Sequence, residues 1–127
     1  MLAPDFAHKP LWLTLGWGLV LLVAYLSLTP TPPTADIANF DKIGHILAYA
    51  ALMGWWSQLD QRRCRLGLLF VLLGLGLEIA QTYTDTRQGD IFDAAADCIG
   101  VGLGWLSSRL LPNWLAWIDG RLAHEHS

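Results

Sequence analysis

Three groups of polar side chains are spaced so that each falls on one face of a helix. Asp41, His45 and Tyr49 recur every four residues, which lines them up in one stripe. Glu78 and Gln81 are three apart and share a face in the same way. Asp90, Asp93, Asp97, Gly100 and Gly104 step by three, four, three and four. That is one seam, acidic at its start and glycine at its end. An imidazole beside carboxylates suits general acid–base work. Lys42 and Arg87 add the positive charge that phosphate or carboxylate recognition requires. His45, Glu78 and Asp93 are the catalytic candidates. The wider binding set adds Asp41, Lys42, Tyr49, Gln81, Arg87, Asp90 and Asp97.

The chain that must position these groups is apolar. Of its 127 residues, 54% are hydrophobic and 15% charged, against about 25% charged in an ordinary soluble domain. Such a composition excludes a disordered chain and leaves too few charges to cover a soluble enzyme. Net charge is −3 and there is no basic stripe, so nucleic acid is not an expected partner. A bilayer crossing takes about 20 mostly apolar residues. Four runs come close: residues 11–28, 43–59, 66–83 and 91–108. The first is uncharged, the second holds His45, the third Glu78 and Gln81, and the fourth Asp93 and Asp97 in its first two turns. The reading is an all-α integral membrane protein, a single domain over residues 1–127 forming a four-transmembrane-helix bundle. Past Pro112, residues 114–118 are too short to span and suit a short C-terminal helix in the interface.

The first run exceeds a signal-peptide core and no A-x-A site follows it, so it reads as a retained anchor. The Pro-rich segment 29–34 ends that helix. With the N-terminus inside, Lys9, Arg62, Arg63, Arg65, Arg109 and Arg121 fall on the cytoplasmic side, and only Lys42 and Arg87 outside. This bias places both termini in the cytoplasm. The three polar groups then share the outer half of the bundle. Cys64 and Cys98 fall at different depths, so no disulfide is expected between them. No recognised metal-ligand spacing appears, and neither a metal nor another cofactor is assigned.

Plainer roles account for part of the pattern. Asp41 and Asp90 precede apolar helices and suit N-caps, and Asp93 could complete a capping box. Tyr49 fits an interfacial belt or helix packing, and Arg87 a solvated turn. Gly100 and Gly104 fit close helix packing. Capping does not explain Glu78, five residues before the end of its run, nor Asp97 or His45, which lie inside theirs. Ionisable groups at such depth point to a functional site.

The run Asp41-Lys-Ile-Gly-His45-Ile-Leu-Ala-Tyr49 resembles the D-K-x-x-H-x-x-x-Y opening of VanZ-like membrane proteins. Glu78-Ile-Ala-Gln81 is similar to that family's E-x-x-Q, and Arg87-Gln-Gly-Asp90-Ile-Phe-Asp93, followed by Gly100, to its R-x-x-D-x-x-D…G block. The resemblance covers about residues 36–108 and departs at Asp97, where the family usually carries Asn. It implies a small polytopic protein of the cell envelope, with a link to teicoplanin susceptibility, and supplies no reaction.

These readings lead to one expected function with alternatives. The site binds or handles an anionic envelope lipid or a glycopeptide-related ligand at the outer face of a bacterial inner membrane. There the helix N-termini, Lys42 and Arg87 would cradle the anion. The first alternative is an acid–base enzyme acting on a phosphate or glycan linkage, helped by a divalent cation on Glu78, Asp93 and Asp97. The second is a non-catalytic subunit that docks a membrane-protein partner through the Gly100 and Gly104 face. A proton relay through His45 and Glu78 would need ionisable steps in the inner half, which the sequence lacks.

Overall fold

The computed structural model describes residues 6–28, 40–83 and 91–125, apart from a few side chains at helix ends. Among these residues the chain is entirely helical, with α1 Lys9–Leu28, α2 Phe40–Leu59, α3 Arg63–Thr82, α4 Ile91–Leu110 and α5 Trp114–Glu125. The first four are each 20 residues long, about 30 Å at 1.5 Å per residue. Each matches one of the four apolar runs, the third run passing the end of α3 by one residue.

Burial follows the helical period. On α1 the buried residues are Trp12, Gly16, Val23 and Ser27. On α3 they are Leu66, Phe70, Gly74, Glu78 and Gln81. Between these stripes, Val23, Tyr49, Leu52, Met53, Leu66, Phe70 and Val101 form the main apolar core. The opposite faces are apolar too. Leu21, Tyr25, Leu47, Leu68, Ile79, Phe92 and Leu110 are all exposed. His45, Ser57, Gln58, Glu78, Gln81, Asp93, Asp97 and Ser108 are buried instead. Polar groups share the interior with the apolar core, and large apolar side chains cover much of the exterior, unlike the surface of an ordinary soluble domain.

On length and composition, two of the helices are apolar enough to cross a membrane, over Lys9–Leu28 and Arg63–Gln81. The expected four spans reduce on this criterion to two. The physical reason is that α2 and α4 carry most of the interior polar residues, which lowers their hydropathy without placing those residues on the outside.

The closest packing is between α2 and α4, which run parallel. A Cβ at Gly104 would stand 2.7 Å from both the Ala50 carbonyl oxygen and Met53 Cβ. At Gly100 it would run into the Ile46 carbonyl oxygen and Tyr49. The absence of side chains at these two positions lets the backbones touch. The Gly100 and Gly104 face, expected to receive another membrane protein, is therefore covered by α2 of the same chain.

At the other end of the bundle, α5 is docked rather than merely laid alongside. Asn113 caps it by accepting a hydrogen bond from the Ala116 N–H (2.9 Å) and donates from Nδ2 to the Gln58 carbonyl (2.9 Å). Leu115 packs with Trp12 and Leu59. Asp119 accepts from the Ala7 N–H (2.6 Å), the His8 N–H (2.9 Å) and Trp12 Nε1 (2.9 Å), with His8 Nδ1 at 3.0 Å. Burial by itself raises the Asp119 pKa, but these hydrogen bonds outweigh it and hold the carboxyl at about 2. Trp12, Trp55 and Trp114 stack edge-on around this junction.

Candidate functional site

His45, Glu78, Gln81, Asp93 and Asp97 collect at the end where α1 and α3 finish and α2 and α4 begin. This follows from the alternating helix directions and from spacings that turn each polar stripe inward. His45 sits on the second turn of α2, Asp93 and Asp97 on the first two turns of α4, and Glu78 and Gln81 on the last turns of α3.

His45 is the hub. Its Nδ1 lies 2.6 Å from Asp97 Oδ1, and its Nε2 lies 3.7 Å from Asp93 Oδ2. The residues are 9%, 2% and 3% exposed. With Asp97 ionised, Nδ1 carries the proton and donates it, which fixes the ring and turns Nε2 towards Asp93. Glu78, 8% exposed, enters from α3. His45, Glu78 and Asp97 each offer a ligand atom, and these atoms all lie within 4.8 Å of one another. Asp97 is lodged against Gly74 of α3, where a Cβ would stand 2.7 Å from Oδ2. A glycine at that position makes room for the carboxylate between α2 and α3.

The other predicted residues divide into three groups. Tyr49 is fully buried one turn below His45 and belongs to the core, packed against the Gly100 position. Gln81 is fully buried, and its Nε2 donates to the Ser27 carbonyl at the end of α1 (2.5 Å), tying α3 to α1 at the rim of the site. The side chains of Asp41 and Lys42, and the residues Arg87 and Asp90, lie outside the described residues. The expected pairing of Glu78 with Arg87 falls there too.

Two buried polar features escaped the reading of the sequence. One is the Asp119 junction, whose partners are more than a hundred residues away in the chain. The other is a polar layer towards the opposite end of the bundle. There Ser57 and Gln58 are buried beside Ser108, and Arg63 Nε donates to Ser108 Oγ (3.0 Å). The spacing of Trp12 and Asp119 carries no local signal. The pair Ser57-Gln58 reads equally well as a helix end.

Chemically, the centre is an imidazole held by one carboxylate and approached by two more, inside an apolar shell. Such a site can hold a cation, accept hydrogen bonds from hydroxyl or amine groups, or move a proton through Nε2.

The molecule is thus an all-helical bundle with a buried acid–imidazole centre. No family model matches the chain, and no solved structure matches it. It is similar to uncharacterized protein C11E3.10 of Schizosaccharomyces pombe, at 29% identity over 119 residues, covering 87% of this chain and 72% of that protein.

Proposed function

We propose that this chain is a VanZ-like multi-pass membrane protein that binds the head group of a lipid or lipid-linked ligand at the polar centre of a four-span bundle, the buried carboxylates accepting hydrogen bonds from head-group hydroxyls and Lys42 and Arg87 supplying the charge for its anionic part. The observation that carries the reading is the Asp97–His45–Asp93 array, buried within a bundle whose outer faces are apolar. In lipid, α2 and α4 can span despite their acids because those acids face His45 and α3 rather than hydrocarbon. The 20-residue length common to α1–α4 suits a hydrocarbon core about 30 Å thick. Similarity to a fungal protein favours a lipid head group, which every membrane offers, over a ligand confined to a bacterial wall. The bacterial inner membrane and the teicoplanin-related role rest on the three VanZ-like motifs alone.

A second reading, acid–base catalysis on a phosphate or glycan linkage, is favoured by the Asp97–His45 pair. A carboxylate that holds Nδ1–H leaves Nε2 as a base of fixed direction. The subunit reading loses its docking face to α2.

Native mass spectrometry of protein released from nanodiscs of mixed phosphatidylglycerol and phosphatidylcholine tests the binding reading. The wild-type chain should retain phosphatidylglycerol preferentially. His45→Gln and Glu78→Gln should lose that preference, and Gly102→Ala, which meets nothing within 4 Å, should keep it. Equal retention of the two lipids by the wild-type chain would sink the proposal.

A further inference from the structure

We infer that His45, Glu78 and Asp97 form a binding site for one divalent transition-metal cation, zinc or manganese. The inference goes beyond the lipid reading and stands without it. The three side chains come from three different helices, all are buried, and their ligand atoms lie within 4.8 Å of one another. A cation bound at about 2.0–2.2 Å per ligand in a tetrahedral shell sets its ligands roughly 3.4 Å apart, so the 2.6 Å His45–Asp97 pair opens and the widest separation closes by about an ångström, within the reach of side-chain rotation. The donors are one imidazole nitrogen and two carboxylates. An imidazole nitrogen directs the site towards zinc or manganese rather than calcium or magnesium, which take oxygen ligands.

Two further observations point the same way. Gly74 leaves a cradle on α3 that any side chain would fill, and the Asp97 carboxylate occupies it, with Oδ2 2.7 Å from the position of a Cβ. Charge is the second. A dication offsets the charge of its two carboxylate ligands and lowers that of a buried centre which, with Asp93, holds three carboxyl groups. A cation entering between His45 and Asp97 takes the Nδ1 lone pair, and the proton that their 2.6 Å hydrogen bond holds passes to Nε2, so the imidazole stays neutral. Asp93, 3.7 Å from His45 Nε2, is placed to orient the ring from outside the ligand set.

The test uses the full chain without a histidine tag, purified in detergent and stripped with a chelator. Calorimetric titration with Zn²⁺ alone, and then with Mn²⁺ alone, is paired with elemental analysis. For at least one of the two ions we expect one saturable equivalent per chain. His45→Gln and Glu78→Gln should weaken it by about 100-fold or more, while Asp60→Asn and His124→Ala should match the wild type. Helical circular dichroism reports whether each variant folds, and the wild-type titration stands whatever the variants do. No saturable binding of either ion overturns the inference. So does wild-type affinity in both folded site variants, or loss of binding in His124→Ala. Phosphatidylglycerol retention without metal binding would overturn this inference alone, and metal binding without lipid retention the lipid reading alone.

Discussion

Asp97 Oδ1 and His45 Nδ1 stand 2.6 Å apart across the α2–α4 contact, 52 residues apart in sequence and both buried. The carboxylate supplies the acceptor that the ring N–H would otherwise lack in an apolar interior. An Asn here would offer an oxygen of the same reach but no charge. Asp97→Asn should therefore keep the fold, with a change in stability within about 1 kcal/mol. Asp97→Leu leaves the ring donor buried without that acceptor and should cost about 1–3 kcal/mol. Unfolding in mixed micelles by SDS titration checks both. An equal loss in the two variants would show that the charge, not the hydrogen bond, holds His45.

The α2–α4 contact makes a prediction about glycine. At Gly104 a side chain meets the Ala50 carbonyl and Met53 Cβ at 2.7 Å, and both belong to a rigid helix. Gly104→Val should force the helices apart and destabilise the bundle by about 1–3 kcal/mol or more. Gly102→Ala, two residues away with open space around it, should be neutral. Thermal denaturation followed by tryptophan fluorescence distinguishes them, and similar melting of the two variants would contradict the packing described.

Asp119 makes stability depend on pH at the other end of the bundle. Its carboxyl is held at about 2, below the ordinary 3.8, so the folded state favours the ionised form. The stability that follows is complete above the ordinary value and is lost as pH falls from about 4 towards 2. Asp119→Ala removes that dependence and leaves the Trp12 indole N–H buried without its acceptor, at a cost of roughly 1–3 kcal/mol. The gap between the melting curves of wild type and variant should be widest at pH 6 and should narrow through pH 4 to pH 2.5. A constant gap between them would mean that Asp119 contributes nothing through its charge.

Topology can be read with thiols. Cys64 is free and exposed near the start of α3, at the end of the bundle remote from the site. Under the proposed topology, the excess of Lys and Arg at that end would place it in the cytoplasm. In intact cells an impermeant maleimide should leave Cys64 unlabelled and should label a cysteine introduced at Gln88, between α3 and α4. Labelling of Cys64 would reverse the orientation and move the site to the cytoplasmic half.

Much of this molecule could be read along the chain, because helical periodicity acts locally. Apolar runs set the first four helices, and spacings of three and four turned His45, Glu78, Gln81, Asp93 and Asp97 to the inner faces where they are found. Four long helices were legible in the sequence, yet by length and composition only α1 and α3 are apolar enough to cross a membrane, since interior polar groups count against a helix whichever way they point. What periodicity leaves open is the rotation and depth of one helix against another. Packing settles these: Gly100 and Gly104 admit the α2 backbone, which sets His45 level with Asp97, and Gly74 fixes how far Asp97 reaches towards α3. The same limit hid Asp119, whose partners Ala7, His8 and Trp12 meet it only after α5 folds back on the start of the chain. A residue's face is decided within its own helix. Its partner is decided by the shapes of the helices packed around it.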